Sequence, residues 1–153
     1  MGERKHERRG IMAKADGMAL PFESTTSIRS ELLEAIEYDG RPQLISYTTD
    51  EFSAVCPYSG LPDIARVEIR YIPEAQLVEL KSLKYYFMSF RNVGIYQEDA
   101  TSLIFDHLAE LLAPHFLRVY TRYNVRGGID AECVIESGYE EDAVRKFVHQ
   151  EIR

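Results

Sequence analysis

Apolar and polar positions along this chain keep to one period, change to another, and then return to the first. Residues 66–71 (Arg-Val-Glu-Ile-Arg-Tyr) alternate charged and apolar side chains, the period of a half-buried strand. The earlier run 43–49 follows the turn-forming Asp39-Gly40-Arg41-Pro42 and predicts a strand before it. Between the two, 56–63 holds two prolines and a glycine and reads as a loop. Beyond Leu77 the period lengthens. Leu83, Tyr86, Phe87 and Phe90 fall on one stripe, predicting a helix over 82–92 that Gly94 breaks. Asp99 is placed as the N-cap of a second helix of about a dozen residues, with Leu103, Ile104, Leu108, Leu111 and Leu112 facing inward and Pro114 ending it. Alternation returns with Leu117, Val119, Thr121 and Tyr123 set against Arg118, Tyr120 and Arg122. Arg126-Gly127-Gly128 then turns the chain into a last strand over 129–135. Short helices are predicted over 27–36 and, polar throughout, over 140–151.

Residues 1–24 keep no period and contain Gly10, Gly17 and Pro21, so they are expected to form a mobile arm. That leaves 25–153 as the single folded domain. Its order of hairpin, two helices and hairpin (ββααββ) predicts an α+β architecture, with one helical layer on one face of an antiparallel sheet. Such a four-stranded sheet has two open edges, and oligomer closure would cover them.

Composition narrows the partners. The 153 residues carry a formal net charge of -7, which argues against a surface built to hold a nucleic-acid backbone. The basic head at 3–9 is the local exception. No apolar run approaches the ~18 residues that cross a bilayer, and the N-terminus lacks a secretory stretch, so a cytoplasmic protein is expected.

The two cysteines, Cys56 and Cys133, make neither a disulfide framework nor a zinc site, because no histidine or second thiol stands at ligand spacing. Cys133 shares a strand face with Ile129, Ala131 and Ile135 and is expected to be a small buried hydrophobe. Cys56 lies instead in a turn-rich loop, where a thiol is held without being sealed in. A thiolate adds to electrophilic carbon when a neighbour lowers its pKa or takes its proton, and Asp63 is close enough for the chain to fold back and bring the two together. Taken alone, that spacing also fits a structural role. Glu79 and Glu98 could accept the paired N–H donors of a guanine-like edge, although a surface acid at a helix start explains Glu98 equally well. Lys81, Lys84 and Arg91 suit a phosphorylated ligand or a solvated helix face. No Gly-X-Gly-X-X-Gly fingerprint occurs, so a Rossmann site is excluded.

Cys56-Pro-Tyr-Ser-Gly-Leu-Pro-Asp63, followed by Glu79-Leu-Lys-Ser-Leu-Lys-Tyr-Tyr86, resembles the nitrile reductases of queuosine biosynthesis, the NADPH-dependent 7-cyano-7-deazaguanine reductases of the QueF family. The likeness runs from about Gly40 to Gly128. It implies the tunnelling fold, whose subunits join edge to edge and bind purines or pterins between them, here as pentameric rings stacked into a decamer. It implies a small 7-deazapurine substrate, NADPH as cofactor, Cys56 as the nucleophile that forms a covalent thioimide, and Asp63 as the proton donor. Val78, Glu79 and Leu80, with Gln97 and Glu98, would contact the base. Lys81, Lys84 and Arg91 would hold the cofactor, and Arg126, beside the double glycine, is a further candidate for a phosphate contact. Gln97 departs from the histidine that many members carry. It can still position a base but cannot titrate. The same cysteine serves an archaeosine-type amidinotransferase, which lacks the lysine signature. A GTP cyclohydrolase-like relative would need zinc ligands, and a non-catalytic purine- or pterin-binding module would leave Cys56 and Asp63 unexplained.

Overall fold

A computed structural model describes residues 14–138. The helix expected over 140–151 lies outside them. Two long hairpins make one antiparallel sheet in the order β2-β3-β5-β6, from β2 (Ile45–Val55), β3 (Pro62–Ile72), β5 (Phe116–Arg126) and β6 (Ile129–Ser137). Helices α1 (Leu80–Met88) and α2 (Gln97–Leu112) connect the hairpins and lie on one face, α1 over β2 and α2 over β5 and β6. The α+β order read from the sequence is therefore the order found, with one addition. Short strands β1 (Ala35–Glu37) and β4 (Gln76–Val78) pair as a separate two-stranded sheet.

The alternating residues do what their period requires. Ala65, Val67, Ile69 and Tyr71 of β3 and Leu117, Val119, Thr121 and Tyr123 of β5 are buried beneath the helices. Phe52 of β2 packs against Phe87 and Phe90, and Tyr86 meets Phe90 edge-on at 5.3 Å. On α2, Ile104, Leu108 and Leu112 are buried and Leu103 and Leu111 partly so. The Thr101 and Thr121 hydroxyls bond at 2.7 Å, which sets the first turns of α2 over the C-terminal half of β5.

Several expected boundaries move. The segment 27–36 is no helix but two 3-10 turns, Thr25–Ser27 and Ser30–Leu32, leading into β1. Its apolar spacing looked helical, yet only Leu33 is buried. Pairing of Ala35 with Val78, and bonds from the Arg29 and Glu34 amides to Ser89 and Ser82, satisfy the backbone instead. Strand β2 runs six residues past Thr49, to Val55, because a register shift between Thr49 and Phe52 breaks the alternation without ending the ladder. Helix α1 starts earlier than expected, with Glu79 as its N-cap. Tyr96 rather than Asp99 is the N-cap residue of α2, which puts Glu98 and Asp99 in the first turn, where the positive end of the helix favours carboxylates. Cys133 is half-buried rather than sealed in, because β6 is an edge strand.

Candidate active site

Cys56 and Asp63 are brought together by the β2–β3 hairpin. Ala54 pairs with Asp63 and Val55 with Pro62, so Asp63 belongs to the strand and not to the loop expected over 56–63. The Cys56 amide donates to the Leu61 carbonyl at 2.9 Å, and Gly60 N–H donates to the Cys56 carbonyl at 2.8 Å, adding one more rung. Side chains two apart share a face, so Cys56 lies diagonally from Asp63 on the helix-covered side, a relation that puts residues about 7 Å apart. Seven positions in sequence become neighbours because the turn is this tight. Gly60, at φ +69°, is needed there twice over: the backbone is left-handed, and a side chain would strike the Leu20 carbonyl.

The loop holds the thiol as an anion would want. The Ser59 hydroxyl, then the N–H groups of Ser59 and Tyr58, bring the Cys56 pKa down against an opposing push from burial, and the Arg126 guanidinium adds the smallest lowering. Asp63 is only 5% exposed, and its Oδ1 accepts from Nη1 of Arg126. Arg126, expected at a cofactor phosphate, is thus closed onto the proposed proton donor in this structure.

The linker between the helices completes this end. Val55 donates to the Val93 carbonyl at 3.0 Å and accepts from Ile95 at 3.1 Å, which starts α2 beside the Cys56 loop with Gln97 half-buried and Glu98 exposed. On the linker's other side Glu23 donates to Asn92 at 2.8 Å and accepts from Gly94 at 2.9 Å, and Phe22 occupies the space a Gly94 side chain would take. Tyr123 is buried one pleat beyond Thr121, with no hydrogen-bond partner for its hydroxyl among the described residues, and burial pushes its pKa up. Ser59, Glu23 and Tyr123 escaped the sequence reading. Only the Ser59-Gly60 turn carried a signal that could have found one of them.

Val78, Glu79, Leu80 and Lys81 stand at the opposite end of the sheet. Val78 N–H donates to the Tyr71 hydroxyl at 3.3 Å, and Tyr71 lies roughly 25 Å along β3 from Asp63 at ~3.3 Å per residue. The Glu79 carboxylate caps α1, accepting from Lys81 N at 2.9 Å and Ser82 N at 2.6 Å, and these two amides lower its pKa. Lys84 and Arg91 line a groove of about 400 Å³ between α1 and the unpaired edge of β2, floored by Phe52, Val67 and Phe87. This groove therefore lies beside the cationic helix, not over the thiol. Among the described residues no cluster of His, Cys, Asp and Glu could hold a metal ion, and no helix is long and apolar enough to cross a membrane.

An antiparallel sheet under two helices, with a thiol and a carboxylate at one end, defines an α+β protein of the tunnelling-fold class. A solved structure of the archaeosine synthase QueF-Like in its apo form shares that architecture, with a TM-score of 0.60 and 25% identity over 65% of this chain and 97% of that one. The family model described as QueF-like protein matches residues 62–142. The NADPH-dependent 7-cyano-7-deazaguanine reductase of Thermotoga maritima is 57% identical over 119 residues, covering 77% of this chain and 87% of that protein. The protein of the same name from Caldicellulosiruptor bescii is 53% identical over 109 residues, covering 70% of this chain and 83% of its own length. The chain belongs to the QueF family.

Proposed function

We propose that this protein reduces the nitrile of 7-cyano-7-deazaguanine to the primary amine with NADPH, a step of queuosine biosynthesis, in the cytoplasm. The observation that carries this reading is the register that sets Cys56 beside Asp63 on one face of the hairpin, joined to relatives above 50% identity that bear the reductase name. Cys56, held toward its thiolate, adds to the nitrile carbon. A sulfur–carbon bond forms, one carbon–nitrogen π bond opens, and the nitrogen takes a proton delivered by Asp63, giving a thioimide. NADPH, when bound, supplies the two hydrides that turn that carbon into an aminomethyl group. Asp63 hands protons to nitrogen at each stage, and Cys56 leaves again as thiolate after the first. Lys81, Lys84 and Arg91 fit the cofactor's phosphates: the groove between α1 and β2 presents two of these cations along an apolar floor.

Glu98 and Gln97 read the base from beside Cys56, while Val78, Glu79 and Leu80 read it from the opposite end of a neighbouring copy. One chain cannot bring both groups to one ring across roughly 25 Å of strand. The edges of β2 and β6, unpaired among the described residues, support the same arrangement. The assembly we propose is a homo-oligomer of edge-to-edge rings, and the family likeness implies pentamers stacked as a decamer.

Intact mass after mixing with the nitrile alone should rise by the mass of the nitrile, and NADPH should then be consumed at two equivalents per amine. Cys56→Ala should lose both the adduct and turnover; Cys133→Ala should keep both. NADH should be much poorer, since the 2′-phosphate is a doubly charged partner for the lysines. An adduct that ammonia or glutamine converts to an amidine without NADPH use would instead establish the amidinotransferase. The absence of any adduct would leave a binding module.

A further inference from the structure

We propose that His107 is a positioning residue for the cofactor: its bond to the Tyr86 hydroxyl fixes helix α1 in the rotation that sets Lys84 over the groove beside β2. The inference deepens the proposed function and rests on its reading of Lys81, Lys84 and Arg91 as the cations that hold the cofactor's phosphates.

Helix α1 is short and has few polar anchors. Its nine residues lie over β2, and two of its ties run back to the N-terminal segment. There Ser82, and Ser89 at the C-cap, accept through their hydroxyls from the Glu34 and Arg29 amides. Toward α2 there is one side-chain hydrogen bond among the described residues. The Tyr86 hydroxyl oxygen and His107 Nδ1 are 2.7 Å apart, and the two rings meet edge to face at 5.6 Å. Tyr86 is fully buried, and burial pushes its pKa up, so the hydroxyl keeps its proton. The arrangement that satisfies that proton has the hydroxyl donating to Nδ1, with the imidazole's own proton on Nε2.

The bond acts across the helix. Tyr86 follows Lys84 by two residues, which is about 200° around an axis that turns ~100° per residue. The side chain tied to α2 is therefore nearly opposite the one that lines the groove with Arg91. Ring contacts of Tyr86 with Phe87 and Phe90 fill the core on this side. Such contacts tolerate small rotations of the helix, whereas a hydrogen bond weakens steeply once it leaves its line. His107, half-buried on α2, lines no part of the groove and acts only through Tyr86.

The test separates stability from cofactor affinity. NADPH binding is followed by fluorescence titration, with no nitrile present, for the parent, His107→Asn, His107→Leu and the double variant Tyr86→Phe with His107→Leu. Asparagine can set an amide oxygen near the place of Nδ1, so His107→Asn should hold the Kd for NADPH within about twofold. His107→Leu leaves a buried hydroxyl unpaired, so Tm should fall and the Kd should rise about tenfold. The double variant leaves no such group unpaired: Tm should recover, while the Kd stays raised by roughly fivefold because the tie is still broken. Every variant should still form the Cys56 adduct with the nitrile, since other elements build the reactive end. Recovery of Tm and Kd together in the double variant would overturn the proposal and leave the bond a core contact. So would a Kd within twofold of the parent in His107→Leu. If His107→Leu does not fold, the double variant decides alone, by whether its Kd departs from the parent's. A parent that forms the adduct but binds no NADPH would instead overturn the reductase reading, and this proposal with it.

Discussion

The end of the sheet that carries Cys56 and the end that carries Glu79 are built by different devices. At the first, strand register does the placing: Ala54 opposite Asp63 fixes the thiol and the carboxylate on one face, and a hairpin tip and a helix start close over them. At the second, a helix cap does it. Glu79 is tied to Lys81 and Ser82 amides and points along α1, with Lys81 and Lys84 on the following turn. On the proposed reading, the first end holds groups that make and break bonds and the second holds groups that recognise and neutralise. Neither is a whole site. If those roles hold, such a chain is complete only against a copy of itself, and the edge strands β2 and β6 of the described sheet offer the surfaces for it.

Substitutions at the two ends should fail in different ways. The largest effect is expected at the reactive end: Asp63→Asn keeps the shape but removes the proton, so steady-state reduction should fall by about 10²–10⁴-fold while base binding survives. Normal turnover would make Asp63 a structural partner of Arg126 and nothing more. A smaller loss is expected from Glu98→Gln, which replaces a double acceptor by a group that must turn a donor to the base. Titration calorimetry should show affinity lower by about 1–3 kcal/mol with melting temperature unchanged. Glu79→Gln sharpens the contrast. Its carboxylate caps a helix and on the proposed reading also contacts the base, so affinity and melting temperature should drop together. If Glu79→Gln lowered affinity alone, the cap would be incidental and the two ends would differ less than the structure implies.

Much of the fold was legible because both hairpins alternate cleanly and α1 and α2 carry clear apolar stripes. The segment 27–36 was misread because its spacing fits a helix while its backbone bonds go to β4 and α1, which lie 40 to 60 residues further on. The end of β2 was missed because a bulge shifts the phase between Thr49 and Phe52. At the site, Cys56, Asp63 and Glu98 stood out by residue type and by family likeness. Ser59 and Tyr123 did not: a serine in a turn and an aromatic on a strand read first as turn and core. Arg126 was visible, but its partner was not, since pairing across 63 residues depends on the β3–β5 neighbour relation that only the folded sheet defines.

The site shared between copies is tested most directly by mixing two inactive chains. Cys56→Ala lacks the nucleophile and Glu79→Ala lacks a base contact from the other end, so each alone should be inactive or nearly so. Co-expressed and purified together through different tags, they should form mixed assemblies in which some sites draw Cys56 from one chain and Glu79 from the other. Random mixing should restore roughly a quarter of the parent activity, because each such site needs Cys56 from one neighbour and Glu79 from the other, each present about half the time. Mixed assemblies of the parent size with no more activity than either variant alone would contradict the account, placing both residues in the same chain's site or Glu79 outside it.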